Sequence, residues 1–123
     1  MLRHKQKPVL IVEDAADTRM ALAEYLAIIG HRVATARDGI EALEYLRGHH
    51  HPVGVIVLDL CMPRMDGYAF LKAKAADARL RDIPVIVHSA MEPWHPLPPD
   101  VTYLRKGRTD PDQLVDAIAH EMS

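Results

Sequence analysis

The amino-acid sequence predicts an α/β fold, a doubly wound parallel sheet with helices on both faces. Short apolar runs rich in β-branched residues recur along the chain, and amphipathic segments of about ten residues separate most of them. Alternation of this kind favours parallel strands joined by right-handed crossovers. The length of 123 residues, 49% of them hydrophobic, suits one domain with a substantial core.

Composition excludes several classes of function. The formal net charge is -2 and no basic patch stands out, which argues against direct DNA binding. The single cysteine, Cys61, rules out an intrachain disulfide and favours a reducing compartment. The sequence shows neither a signal peptide nor an apolar run of membrane-spanning length. We therefore expect a cytoplasmic, single-domain protein over residues 1–123, with His49–His51 in a solvated loop.

The first apolar run predicts a buried strand that ends in acid. It covers Pro8–Val12 and stops at the carboxylates of Glu13 and Asp14. Helical spacing of apolar residues follows over Thr18–Ile29, and Gly30 ends that helix in the way that glycine commonly does.

The second strand and helix are shorter. The strand is predicted over Arg32–Ala36. Asp38 follows as the N-cap of the next helix, with Glu41 three residues later in the pattern of a capping box. Gly48 closes this helix.

The central strand is predicted over Val53–Leu58, where an apolar, β-branched run indicates burial on both faces. It ends at Asp59, which a loop with proline and glycine follows. A helix over about Tyr68–Asp77, rich in good helix formers, comes next.

The last third of the chain contains two further strands and one interruption. Strands are predicted over Pro84–His88 and Val101–Leu104, the first followed by Ser89. Between them, Glu92–Asp100 contains four of the nine prolines, so we expect a loop instead of a helix. The final helix opens at Asp110, followed by a proline at its first position.

Five strands in this pattern suit the flavodoxin-like order 2-1-3-4-5, with the helix between strands 4 and 5 shortened or replaced by the proline-rich loop. The carboxyl ends of the strands then bring five polar side chains to one sheet edge: Glu13, Asp14, Asp59, Ser89 and Lys106. Crowded carboxylates favour a hard divalent cation such as Mg²⁺. A carboxylate left free can serve as a nucleophile and form an aspartyl phosphate.

Four sequence motifs also indicate a protein family. They are VLIVED at residues 9–14, LDLCMPRMDG at 58–67, VHSA at 87–90 and YLRK at 103–106. With these motifs the chain resembles the receiver domain of bacterial response regulators, over essentially its whole length. The second motif is the most specific, and the others gain weight from their order.

The resemblance implies a role for each site residue. Asp59 would be the phosphoacceptor, Asp14 a direct Mg²⁺ ligand and Glu13 a ligand through water, with Mn²⁺ as a substitute metal. The roles it assigns to the remaining positions are a metal-ligand backbone carbonyl at Cys61, phosphate-binding and switch positions at Ser89, Ala90 and Lys106, a switch aromatic at Tyr103, and site-lining positions at Met91 and Cys61.

The resemblance also implies partners. The phosphoryl donor would be a histidine kinase or a histidine phosphotransfer protein, and the chain would catalyse only its own phosphorylation and dephosphorylation. The implied state is a monomer or a phosphorylation-dependent dimer. No output domain follows Ser123 in this sequence, so we expect output through a protein target or onward phosphotransfer. An output domain in a longer parent protein stays open.

Two departures from the family pattern stand out. Gly107 follows the lysine where the family usually has a proline, often with a cis bond, so the loop loses that locked geometry. The proline-rich stretch replaces a helix of the family's signalling face. For Trp94 and Leu97 two interpretations stay open: they contact a partner, or they cover the sheet where the helix is missing.

Two rival functions also stay open. The chain could be a receiver-like interaction module that works without phosphorylation, although it retains all five polar site residues. It could instead be a Mg²⁺-dependent phosphatase. Such enzymes commonly carry a second Asp two residues after the nucleophile, where this chain has Cys61. A redox role for Cys61 has little support, because Arg64 is its only basic neighbour in sequence.

Overall fold

The strands form one parallel five-stranded sheet. The computed structural model describes residues 7–48 and 53–123, and the sheet order within them is β2-β1-β3-β4-β5. The predicted fold class and strand order are thus confirmed. The strands are β1 (Val9–Val12), β2 (Val33–Ala36), β3 (Val55–Leu58), β4 (Val85–Ser89) and β5 (Thr102–Arg105).

Helices cover both faces of the sheet, as the alternation of elements predicted. They are α1 (Ala16–Ile29), α2 (Gly39–Gly48), α3 (Gly67–Ala76) and α4 (Pro111–Met122). The core on one face includes Phe70 of α3 and Leu43 of α2, and the core on the other includes Leu26 of α1 and Ile118 of α4. No helix in the described ranges has the length and apolarity needed to cross a bilayer.

The central strands are apolar throughout because both of their faces are buried. Leu10 and Ile56 point into the first core, whereas Ile11 and Val57 point into the second. All four side chains are nearly inaccessible to solvent. This two-sided burial accounts for the uninterrupted apolar runs in the sequence.

Side chains cap three of the helices. Asp110 and Gln113 form the predicted capping box at the start of α4. Asp38 accepts a hydrogen bond from the Glu41 amide at 2.9 Å, as predicted. The Glu41 carboxylate, however, accepts from the amide of Arg37, one residue before the cap. An unpredicted cap begins α3, where the Asp66 carboxylate accepts from a backbone amide at 2.9 Å.

The segment between β4 and β5 contains no helix, as its prolines predicted. Predicted element boundaries elsewhere differ from the observed ones by one or two residues: α1 begins at Ala16 instead of Thr18, and β3 at Val55 instead of Val53. The prediction for His49–His51 lies outside the described residues.

Candidate functional site

Three carboxylates meet where β1 and β3 end. Val12 pairs with Leu58 in parallel register, so the residues that follow them lie side by side. One carboxylate oxygen from each of Glu13, Asp14 and Asp59 lies within 4.8 Å of the others. Glu13 and Asp59 are buried, and Asp14 is exposed. The structure therefore brings the three predicted acids together in a cluster that is open on one side.

Lys106, the residue after the edge strand β5, brings a cation to this cluster. Its Nζ forms an ion pair with Oε1 of Glu13 and lies 3.6 Å from Oδ2 of Asp59. Its backbone amide donates to the carbonyl of Ser89 at 2.9 Å, which fixes the lysine beside the end of β4. A lysine that contacts two buried carboxylates is not a solvated surface lysine.

Burial and hydrogen bonding act against each other on Glu13. Burial raises the pKa of its carboxyl group above the usual value, and the hydrogen bond from Lys106 acts in the opposite direction. Its second oxygen accepts from the Ala15 amide at 3.1 Å. The cluster thus holds three acidic groups and one lysine, an arrangement that favours a further cation.

The donor set suits a hard cation. The three side chains offer carboxylate oxygens only, the ligand type that Mg²⁺ prefers. The loop after Asp59 also reaches the cluster, because the Cys61 amide donates to Asp59 Oδ1 at 3.4 Å. The Cys61 side chain itself is exposed.

Two hydroxyl groups form hydrogen bonds with the backbone of one residue, Met91, on either side of its Cα. The fully buried Ser89 accepts a hydrogen bond at Oγ from the Met91 amide, at 3.4 Å. The Tyr103 hydroxyl donates to the Met91 carbonyl at 3.1 Å. The structure thus places both predicted switch residues beside the site but bonds their hydroxyl groups to Met91. Ala90, between Ser89 and Met91, is exposed.

The turn after Lys106 differs from the family pattern, as the sequence indicated. Gly107 has a φ of 79°, and no atom within 4 Å would meet a Cβ there. The described residues contain no cis peptide bond. A left-handed glycine thus makes the turn where the family usually has a proline.

Sequence reasoning missed two features near the site. Arg64, the basic neighbour of Cys61 in the sequence, forms an ion pair with Asp38 at 2.7 Å. His88 packs into a groove of about 630 Å³ between α1 and α4, and burial, with a smaller effect of Lys106, lowers its pKa to about 4. A histidine ending an otherwise apolar run was a signal for the second feature. No signal in the sequence indicated the pair between Arg64 and Asp38, because that pair depends on the backbone conformation of Arg64.

Comparison with known proteins agrees with this geometry. The model of the response regulator receiver domain family matches residues 9–95. The probable transcriptional regulator ycf27 of Guillardia theta is 40% identical over 90 residues, and chemotaxis protein CheV2 of Helicobacter pylori is 36% identical over 88. These matches cover 73% and 70% of this chain but only 33% and 28% of the relatives, so the chain spans about a third of their length.

Solved structures agree with the fold over nearly the whole chain. The receiver domain of the hybrid histidine kinase CckA is 29% identical with a TM-score of 0.78, covering 94% of this chain and 99% of that one. Chemotaxis protein CheY4 of Vibrio cholerae is 25% identical with a TM-score of 0.77, covering 94% and 98%.

Proposed function

Because the chain belongs to the response regulator receiver domain family, we propose that it accepts a phosphoryl group on Asp59 in the presence of Mg²⁺. The donor is a phosphohistidine on a histidine kinase or a histidine phosphotransfer protein. The observation that carries the proposal is the convergence of Glu13, Asp14 and Asp59, with Lys106 in contact with two of them.

The three acids have two roles in this proposal, metal binding and nucleophilic attack. Asp14 and Asp59, with the Cys61 backbone carbonyl, would hold Mg²⁺ directly, and Glu13 would do so through water. Mn²⁺ would substitute. When bound, the ion neutralises charge on the phosphoryl oxygens.

The chain's own residues perform the transfer. An oxygen of Asp59 bonds to phosphorus while the P–N bond to the donor imidazole breaks, and the imidazole nitrogen keeps the electron pair. Lys106 then pairs with a phosphoryl oxygen in place of the bare Asp59 carboxylate. Met91 and Cys61 line the site at the ends of β4 and β3.

Signalling follows from the hydroxyl groups beside the site. In this proposal the Ser89 hydroxyl and the Ala90 backbone turn to the phosphoryl group, and Tyr103 moves with them. The phosphorylated state is a population shift between two conformations, recognised by a downstream protein target. Residues 1–123 act as one receiver domain, monomeric or dimerising on phosphorylation, and catalyse only their own phosphorylation and dephosphorylation.

The test is intact mass after incubation with acetyl phosphate, with Mg²⁺ and with EDTA. We expect the parent chain to gain one phosphoryl group only with Mg²⁺, and Asp59→Asn to gain none. Asp116→Asn, an exposed aspartate on α4, is the matched control and should behave like the parent.

No gain from acetyl phosphate or from phosphohistidine donor proteins, in a chain shown to bind Mg²⁺, would contradict the proposal. The alternative would then be an interaction module that works without phosphorylation. The left-handed turn at Gly107 and the helix-free segment between β4 and β5 are the observations that favour this alternative.

A further inference from the structure

Arg64 has an unusual backbone conformation in the loop that follows Asp59. Among the described residues it is the one non-glycine residue with positive φ, 62°. The Met65 amide donates to the Pro63 carbonyl at 2.6 Å and closes a tight turn around it. A side chain is disfavoured in this region, so other contacts must hold the loop in place.

The Arg64 side chain supplies such a contact. Its Nε lies 2.7 Å from Oδ2 of Asp38, whose side chain is only 3% accessible, while Arg64 is about half exposed. The hydrogen bond from Arg64 holds the pKa of the Asp38 carboxyl group below its usual value. The other oxygen of Asp38 accepts from the Glu41 amide, so the anchor is itself fixed at the start of α2.

The same loop reaches the acceptor. Three residues before Arg64, the Cys61 amide donates to Asp59 Oδ1. At the far end of the loop the Gly67 amide donates to the Leu60 carbonyl at 2.9 Å. The loop is thus closed at its base beneath Asp59 and fastened at its tip to α2. Only Met62 and Pro63 separate Cys61 from Arg64, so a displacement at the tip would reach the Cys61 amide over a short stretch of backbone.

We infer that Arg64 is a positioning residue for the site: by pairing with Asp38 it holds the loop so that the Cys61 peptide group lies against Asp59. Arg64 touches neither the metal nor the phosphoryl group. It acts on both through the loop, so the inference rests on the proposed function where it concerns Mg²⁺ binding.

The first measurement is Mg²⁺ affinity by calorimetry. Groups that orient metal ligands typically change affinity tenfold or more, so we expect roughly a tenfold rise in the Mg²⁺ dissociation constant of Arg64→Ala. Arg64→Lys should recover part of the loss because it keeps the charge. The matched control is Arg37→Ala, which removes an exposed arginine from the same helix start and should bind Mg²⁺ like the parent.

A second substitution separates the ion pair from the backbone conformation. Arg64→Gly adopts positive φ without strain but leaves Asp38 without its partner. If the pair positions the loop, Arg64→Gly loses Mg²⁺ affinity as Arg64→Ala does. Parent-like affinity in Arg64→Gly would overturn the inference, since the turn alone would then suffice.

Hydrogen–deuterium exchange of residues 60–66 without metal gives a readout independent of phosphorylation. Exchange should be faster in Arg64→Ala, Arg64→Gly and Asp38→Asn, which keeps a capping oxygen, and unchanged in Arg37→Ala. Parent-like exchange in all three would overturn the inference. A parent that takes no phosphoryl group would count against the proposed function alone, because loop exchange and Mg²⁺ affinity still decide the role of Arg64.

Discussion

The two segments that flank Asp59 at this end of the sheet are held in different ways. The loop after Asp59, residues 60–66, is held at its tip by the buried carboxylate of Asp38 and closed at its base by the Gly67 amide. The connecting segment, residues 90–101, is fastened by contacts at exposed groups: Tyr68 with His95, Tyr103 with Met91, and Arg105 with Glu92.

The connecting segment is nevertheless held by specific hydrogen bonds and ring contacts. The Tyr68 hydroxyl donates to the His95 carbonyl at 2.7 Å and accepts from the His95 amide at 3.0 Å. The Trp94 ring packs edge-on against Tyr68 with centroids 5.0 Å apart, and Leu97 packs against the core. Exposed hydrogen bonds open at low free energy. The comparison shows that the loop after Asp59 is held at a buried carboxylate, while the segment between β4 and β5 is held mainly by exposed hydrogen bonds, which cost less free energy to open.

The largest effect is expected from Gly67→Ala, which places a side chain at the base of the loop that follows Asp59. A Cβ there would lie 2.7 Å from Leu60 Cα and 2.8 Å from the Asp59 carbonyl oxygen, both backbone atoms that cannot move aside. We expect a loss of about 2–4 kcal/mol in the free energy of unfolding, measured by urea denaturation, because overpacking must shift the backbone. Gly48→Ala meets nothing within 4 Å and is the control. Equal stability of the two variants would contradict the close packing of Gly67 against the backbone of Asp59 and Leu60.

Acid should act on His88 in β4 and on the pair between Asp38 and Arg64 in different pH ranges. The pKa of His88 is about 4 when folded, below its ordinary 6.5, so the unfolded chain binds more protons between these values and stability falls as pH falls through that window. Because the imidazole borders an open groove, we expect a loss of about 1–2 kcal/mol, absent in His88→Leu. The hydrogen bond from Arg64 holds the pKa of Asp38 below its ordinary value, so the stability that this pair contributes is lost only in more acidic solution.

Urea denaturation between pH 7 and pH 4.5 tests the contribution of His88. The control is His120→Gln, an exposed histidine at the end of α4. A pH profile of His88→Leu that runs parallel to that of the parent would show that His88 does not set the acid response.

A smaller effect is expected from Tyr68→Phe, which removes both hydrogen bonds to His95 and leaves the ring. The loss should be about 0.5–1 kcal/mol, as is typical of exposed hydrogen bonds. Hydrogen exchange should become faster over residues 90–101 and stay unchanged over 60–66. Tyr25→Phe, exposed on α1, serves as the control. Faster exchange in both segments would mean that they are not independent.

The smallest effect concerns Trp94, the single tryptophan of the chain and 44% exposed. If phosphorylation turns the Ser89 hydroxyl away from the Met91 amide, the start of the connecting segment loses a bond, and the emission of Trp94 should shift. Acetyl phosphate with Mg²⁺ should produce the shift in the parent and none in Asp59→Asn. An unchanged spectrum in a chain that has gained its phosphoryl group would argue against a switch through Met91.

Much of the fold could be read from the sequence, because its signals are local. Strands that are buried on both faces leave uninterrupted apolar runs in the sequence. The acids that follow these runs, such as Glu13 and Asp59, lie at the carboxyl ends of parallel strands and therefore at one edge of the sheet. The interruption between β4 and β5 follows from proline chemistry. Of the two interpretations of Trp94 and Leu97, the structure supports cover for Leu97, while Trp94 remains largely exposed and lies on Tyr68.

The rest of the site depends on side-chain directions that no local pattern encodes. The pairing of Lys106 with Glu13 follows from how far β5 extends beside β4. The pair between Arg64 and Asp38 follows from one left-handed residue. The direction of the Ser89 hydroxyl depends on rotamer preferences of about 1 kcal/mol, which the sequence does not record.

The ion pair between Lys106 and Glu13 joins residues that lie 93 positions apart in the chain. A contact of such separation requires the closure of a long loop, whose entropy must be paid before the contact contributes. A ribosome that has translated only as far as β4 has already produced all three carboxylates, but not the lysine that contacts Glu13 and Asp59. The cluster of three acids and one lysine is therefore complete only when the last strand has been made and has joined the sheet.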